Sequence, residues 1–138
     1  MKIKTDFVTN SSSTCFVLMK KGEVLLDDFI KAVGVQANSR FYDMYAELYS
    51  LCFNDLTPIR TFVANDRWNK DGNTVDDYIK DVFSEETLKR IKNAEAKGFE
   101  VYMGRLHSDN DAIESYFCTS DFVIETKDFI LDATNDGW

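Results

Sequence analysis

Proline, glycine and cysteine are scarce in this chain, and their scarcity argues against several classes of protein. Among 138 residues there are 1 Pro, 6 Gly, 1 His and 3 Cys. So little proline and glycine argues against a disordered tail or a flexible linker. The cysteines are odd in number and widely spaced (Cys15, Cys52 and Cys118), which is typical of buried hydrophobic side chains and not of a disulfide framework or a zinc cluster. We therefore predict a protein of the reducing cytoplasm.

Long apolar runs are also missing. No stretch approaches the roughly 18 residues of a membrane span. Asp6 interrupts the N-terminal apolar stretch that a secretory leader would need. We expect neither export nor a membrane partner.

Core material, in contrast, is plentiful. Aromatic residues make up 14% of the chain, with 11 Phe and 6 Tyr. A chain of this length buries roughly two-thirds of its unfolded surface, and no internal repeat divides it. We predict a single domain over residues 1–138.

The negative charge is concentrated in the second half of the chain. Residues 1–69 hold 8 Lys and Arg against 8 Asp and Glu, whereas residues 70–138 hold 8 against 16, so the net charge of −8 belongs to the second half. Between 107 and 138, Lys127 stands alone against eight acids: Asp109, Asp111, Glu114, Asp121, Glu125, Asp128, Asp132 and Asp136. Such an asymmetry repels nucleic acid and attracts basic surfaces. A solvated face that only maintains solubility is the alternative.

Helical periodicity marks three segments with clear ends. Residues 25–33 carry apolar side chains at helical spacing, and Gly34 is a suitable stop. Thr74 is a suitable N-cap for an amphipathic helix over 75–83. A further helix begins at Ser84 and ends at Gly98, and its thin apolar face indicates a surface position.

Residues 39–53 form the most aromatic predicted helix. One stripe of this helix contains Tyr42, Tyr45 and Tyr49, and a second apolar stripe lies beside it. Together the two stripes are too wide for a helix that packs on a sheet with one face and exposes the other to solvent. Either another helix covers the tyrosines or they form a contact surface. Core packing with hydroxyls that reach solvent is the commoner arrangement.

Alternating apolar residues predict strands at both ends of the chain. The segments are 2–8, 15–19, 99–103, 116–118, 122–124 and 129–131. The last two are expected to form a hairpin. Strands, then helices, then strands favour an α+β fold, with a mixed or antiparallel sheet of N- and C-terminal strands and about four helices packed on it.

His107 is followed by residue types that perform acid–base or hydrolytic chemistry: Ser108, Asp109, Asp111 and Glu114. A local Ser-His-Asp sequence is not evidence of a triad, because triads are assembled from distant positions. A solvated loop histidine beside turn-forming residues is the simpler interpretation. The alternative is a small enzyme or ligand-binding domain in which His107, Ser108 and Asp109 are catalytic.

Tests for metal and phosphate sites fail. If Gly72 is the sixth residue of a calcium loop, Arg67 and Tyr78 stand where the loop needs carboxylates. The polar run 10–13 has no glycine to cradle a phosphate. Basic residues form isolated pairs and no patch. We predict no metal, no cofactor and no direct nucleic-acid binding.

The first residues of the chain, MKIKTDFVTNSSSTCFV, form a distinctive head. It resembles an N-terminal signature, a basic start followed by Phe-Val-Thr-Asn and a serine run, that heads many short proteins of bacteria and their phages. Thr14 and Cys15 depart from the serine run. The resemblance covers residues 1–17 and implies origin more than activity, because proteins that share this head differ behind it. The segment is either a structural first hairpin or an exposed peptide that another protein reads, modifies or cleaves.

These observations favour a non-enzymatic interaction protein, associated with a phage or another mobile element. We expect it to bind a basic surface of a host protein, such as the nucleic-acid-binding face of a nuclease, polymerase or defence complex. Self-association as an assembly component is a further hypothesis. The residues expected to contact the partner are Asp109, Asp111, Glu114, Asp121, Tyr42, Tyr45 and Tyr49.

Overall fold

The computed structural model describes residues 13–54, 56–66, 74–107, 112–118 and 121–134. Within these ranges the chain forms five strands and six helices. The strands are β1 (Ser13–Lys20), β2 (Thr57–Pro58), β3 (Glu100–His107), β4 (Val123–Glu125) and β5 (Phe129–Asp132). The helices are α1 (Leu26–Val33), α2 (Tyr42–Phe53), α3 (Ile59–Asn65), α4 (Val75–Val82), α5 (Glu85–Ala96) and α6 (Ala112–Cys118).

The five described strands form one antiparallel sheet in the order β2-β3-β1-β5-β4. β1 pairs along its length with β3, from Ser13 opposite His107 to Lys20 opposite Glu100, and its other edge pairs with β5. The predicted α+β fold, with an antiparallel sheet of N- and C-terminal strands, is confirmed. The strand predicted over 2–8 lies outside the described residues.

β1 is central because both of its faces are apolar. Cys15, Val17 and Met19 point to one face of the sheet, and Phe16 and Leu18 point to the other. All five side chains are buried. A strand with consecutive apolar residues needs cover on both sides, in contrast to one that alternates apolar and polar residues.

Helices supply that cover on both faces. α1, α2 and α6 pack on the face of Phe16 and Leu18, and α3, α4 and α5 pack on the face of Val17 and Met19. The number exceeds the predicted four because α3 and α6, of 7 residues each, are too short for helical periodicity to identify. None of the helices in the described ranges has the length and apolar character needed to cross a bilayer.

The predicted helix ends at Gly34, Thr74 and Ser84 are confirmed. Gly34 has a φ of 78°, and its amide donates to two carbonyls in the last turn of α1. The Thr74 hydroxyl accepts from the amide of Asp77 at 3.2 Å. The Ser84 hydroxyl accepts in the same way at 3.1 Å, three residues along α5. Each cap satisfies a backbone group that the helix itself leaves without a partner.

The predicted hairpin of β4 and β5 is also confirmed, and its turn needs no glycine. The Thr126 hydroxyl accepts from the amides of Asp128 at 3.1 Å and Phe129 at 3.0 Å. The amide of Thr126 donates to the carbonyl of Phe129 at 2.8 Å. One threonine therefore holds the chain reversal through its side chain and its backbone.

The prediction of a strand over 116–118 is wrong, because these residues end helix α6. Two hydrogen bonds fix that helix to the sheet. The carboxylate of Glu114 accepts from the backbone amide of His107, and the Thr14 hydroxyl donates to the carbonyl of Cys118 at 3.0 Å. These tertiary contacts override the strand preference of the local Tyr-Phe-Cys sequence.

Gly104 makes room for the ring of Phe16 in the neighbouring strand. The two residues are directly opposite each other in β3 and β1. A Cβ atom at Gly104 would lie 2.5 Å from Cζ of Phe16 and 2.9 Å from Cε2. Position 104 therefore requires glycine for steric reasons, since any side chain there would displace the buried ring of Phe16.

We expect Gly104→Ala to lower the free energy of unfolding by about 1–3 kcal/mol, because the Phe16 ring or the strand must shift. Urea unfolding followed by circular dichroism measures this. Phe16→Leu provides the control, because the double variant should lose less stability than the two single variants together. A Gly104→Ala protein as stable as the parent would contradict the close contact.

Candidate functional site

An open groove lies beside β4, on the sheet face that α1, α2 and α6 cover. Its volume is about 510 Å³. Nine of its lining residues are apolar or aromatic, and the tenth is an acid: Ala32, Val33, Tyr45, Leu48, Tyr116, Phe117, Phe122, Val123, Ile124 and Glu125. We call this site the β4 groove. A concave site lined mainly by apolar side chains is the usual form of a binding site.

Phe117 is the centre of the aromatic wall of the β4 groove. Its ring centroid lies 5.8 Å from that of Tyr45, 5.2 Å from that of Tyr116 and 5.7 Å from that of Phe122, in edge-to-face arrangements. Aromatic pairs at such distances attract one another beyond the area they bury. Phe117 is buried, whereas Tyr116 is 54% exposed. The wall is thus held together from inside and presents Tyr116 to solvent.

The three tyrosines predicted to contact a partner lie on α2, and all are partly buried. Tyr49 stacks on Phe53 with ring centroids 4.7 Å apart, and its hydroxyl donates to the carbonyl of Val24. Tyr42 packs at the margin of the same core. Of the three, Tyr45 lines the β4 groove. The tyrosine stripe is therefore divided between core packing and the groove.

The acids of the second half are divided between surface and core. Asp121, Glu125 and Asp128 are exposed, whereas Glu114 is 2% exposed and Asp132 is 0% exposed. The prediction that Glu114 belongs to a partner-binding surface is wrong, because its carboxylate is buried and bonded to the backbone of β3. The exposed acid of the predicted set within the described residues is Asp121, which precedes the groove residue at 122 by one position.

Asp132 ends β5 and attaches it to α5. Its Oδ2 accepts from Nη1 of Arg90 and from the hydroxyl of Thr87, each at 2.9 Å. Its Oδ1 accepts from the amide of Thr134 at 3.0 Å and from that residue's hydroxyl at 2.6 Å. A buried carboxylate needs this degree of compensation. Its charge is therefore used inside the fold.

His107 is the last residue of β3, and its side chain is exposed. Its backbone amide donates to Glu114. Ser108, Asp109 and Asp111 lie outside the described residues, so the alternative catalytic group stays a prediction. Within the part of the chain that the structure describes, no group of three or more His, Cys, Asp or Glu side chains is placed to hold a metal ion.

A second polar cluster lies on the face of the sheet that is covered by α3, α4 and α5, opposite to the β4 groove. Oδ2 of Asp66 accepts from the Tyr78 hydroxyl and from Nη2 of Arg105, the latter at 3.0 Å. The Arg105 guanidinium lies 4.9 Å from the ring centroid of Phe62. Cys15 is opposite Arg105 in the sheet, and burial raises the pKa of its thiol despite that positive charge. Because a buried neutral thiol is a poor nucleophile, the arrangement is suited to structure and not to catalysis.

Sequence patterns identified only part of the β4 groove. The tyrosine stripe of the predicted helix over 39–53 identifies Tyr45, and the group of eight acids between 107 and 138 includes Glu125. Tyr116 and Phe117 were missed because their segment was assigned to a strand. The i, i+4 pair of Ile113 and Phe117 is the local signal that indicates a helix there, with one apolar side.

We expect Asp132→Ala to lower the free energy of unfolding by about 2–4 kcal/mol, because Arg90 and the two threonines lose their shared acceptor. Asp128→Ala is the matched control, since this acid is exposed on the same hairpin and its loss should change stability by about 0.5 kcal/mol or less. Chemical unfolding of both variants measures the difference. Equal stability of the two variants would contradict the division of the acids between core and surface.

Comparison with known proteins identifies no relative of this chain. No protein-family model matches the sequence, and no curated protein and no solved structure matches it. The function must therefore be inferred from the residues and geometry of the chain itself.

Proposed function

We propose that this protein is a non-enzymatic interaction module that binds a basic protein partner through the β4 groove. The observation that carries this proposal is a groove lined by apolar and aromatic side chains beside a strand edge that ends in an exposed acid. Tyr116 stands exposed on the preformed wall around Phe117, and Glu125 lies on the bordering strand. Exposed aromatic anchors next to polar groups are the typical composition of protein-binding surfaces.

Charge supports a basic partner. Glu125 is exposed at the end of the strand that borders the groove, and Asp121 is exposed next to a lining residue in the chain. The chain carries a net charge of −8, and Lys127 is the single base between 107 and 138. A negative surface accelerates association with positive ones and disfavours nucleic acid. The partner segment would present Lys or Arg beside apolar side chains.

We place this partner in a bacterial host. The resemblance of residues 1–17 to the heads of bacterial and phage proteins supports a phage or mobile-element origin. The three cysteines form no disulfide bond with one another, which fits a reducing cytoplasm. Proteins that bind nucleic acid neutralise its phosphates with Lys and Arg, and so present basic surfaces. A nuclease, polymerase or defence complex whose basic face this protein occupies is the proposed target class.

A small apolar ligand is the second candidate occupant of the β4 groove. The volume of about 510 Å³ lies within the range of roughly 300–1,000 Å³ that is typical of small-molecule sites. The groove is bordered by a strand edge and by the 54% exposed Tyr116. These features favour a protein segment, because a small ligand is usually enclosed to a greater extent.

Affinity capture from a bacterial lysate at low ionic strength tests the proposal with three immobilised proteins: the parent, Glu125→Lys and Glu95→Lys. The control residue Glu95 is exposed on α5, outside the lining of the β4 groove. The parent and Glu95→Lys should retain the same basic proteins. Glu125→Lys should bind them roughly 5–30 times more weakly, which corresponds to a cost of about 1–2 kcal/mol for reversing a charge at the site.

Salt provides a second test of the same interaction. Raising the ionic strength to about 0.5 M should release the retained proteins, because exposed charges are then screened. The proposal fails if no protein is retained, or if Glu125→Lys retains the same proteins as strongly as the parent. A small apolar ligand would bind the parent and Glu125→Lys alike, with little dependence on salt.

A further inference from the structure

The outer edge of β4 carries backbone groups that point away from the sheet. The amide of Ala133 donates to the carbonyl of Phe122 at 2.9 Å. The amide of Thr126 donates to the carbonyl of Phe129, the first residue of β5, at 2.8 Å. In an antiparallel pair, successive residues alternate between bonding to the neighbouring strand and pointing away from it. The N–H and C=O groups of Val123 and Glu125 therefore point outward.

Among the described residues, no strand pairs with that edge, because the sheet order ends at β4. Outward N–H and C=O groups on an edge strand form a template for a further strand. Recognition by strand addition uses this template, with main-chain hydrogen bonds for affinity and alternate side chains for specificity.

The β4 groove borders the same edge. Its lining includes all three residues of β4, together with Val33 of α1 and Tyr116 of α6. Successive side chains of a strand point to opposite faces of its sheet. Every second side chain of an added strand would therefore lie on the face of the groove. Apolar side chains at those positions would contact its aromatic wall.

Charge decides between the occupants of this edge. β4 ends in Glu125, so pairing with the same edge of a second copy of this chain would bring acids of like charge together. Two copies, each with a net charge of −8, would also repel each other. An extended segment that carries Lys or Arg reverses the sign of this interaction, since opposite charges on neighbouring strands attract.

We propose that the partner of the β4 groove contributes an extended basic segment, which adds to β4 as a sixth strand through backbone hydrogen bonds to Val123 and Glu125. This inference rests on the interaction function proposed above and adds its mode of recognition. The segment alternates apolar residues, which face the groove, with basic residues near the acids of the edge.

Selection from a displayed library of random peptides of about twelve residues, against the immobilised full chain, tests the mode of recognition. The enriched peptides should alternate apolar and basic residues. Val123→Pro removes one outward donor and leaves the bonds to β5 in place. It should raise the Kd of these peptides at least about tenfold, whereas Glu95→Lys on α5, outside the lining of the groove, should change the Kd by about twofold or less.

N-methylation of an enriched peptide tests the same hydrogen bonds with the parent protein unchanged, so it does not depend on the folding of a variant. Methyl groups on one set of alternate amides block the bonds to β4, and methyl groups on the other set point away from it. One methylated peptide should lose about tenfold or more in affinity, and the other about twofold or less.

Equal binding of both methylated peptides, or of the peptides to Val123→Pro and the parent, would overturn strand addition. If those peptides still lose affinity for Glu125→Lys, the proposed interaction function stands without it. If no peptide is enriched, or if Glu125→Lys changes nothing, both proposals fail. A dimer of the parent in light scattering that Val123→Pro abolishes would assign the edge to a second copy and overturn the basic segment.

Discussion

Burial of β1 on both faces is the constraint on which the rest of this structure depends. Val17, Leu18 and Met19 are consecutive and each is 0% exposed, although they point alternately to opposite faces. Burial of each side chain contributes about 1.5–3 kcal/mol only if helices cover both faces. The strand therefore occupies the centre of the sheet, with β3 and β5 at its sides. β4 is left as an outer strand, and the groove lies where helix cover ends beside it.

Features that depend on neighbours in sequence were predictable. The ends at Gly34, Thr74 and Ser84 follow from local backbone chemistry, and the alternating residues before and after Thr126 identify a hairpin. Features that depend on distant partners were not predictable. Asp132 looked like a surface acid because its partner Arg90 is 42 residues away in the chain. The helical state of α6 likewise depends on a hydrogen bond that spans 104 residues.

The difference between local and distant contacts also determines which acidic residues are available to bind a partner. Composition identifies an acidic second half but cannot separate structural acids from exposed ones. Burial assigns Glu114 and Asp132 to the fold, which leaves Asp121 and Glu125 beside an apolar groove. The proposed partner surface is therefore smaller than the whole acidic segment and combines charge with an aromatic wall. Apolar contact would provide affinity there, and the acids would select a basic partner.

Amide hydrogen exchange of the free protein, resolved by residue with NMR, tests the central claim that the outer edge of β4 is open. Ile124 is opposite Leu131 and directs its amide to β5, whereas Val123 and Glu125 direct theirs outward. We predict that the amides of Val123 and Glu125 exchange about a hundred times faster than that of Ile124, or more. Equal protection of all three amides would mean that the edge is already paired within the chain, and would contradict the open groove.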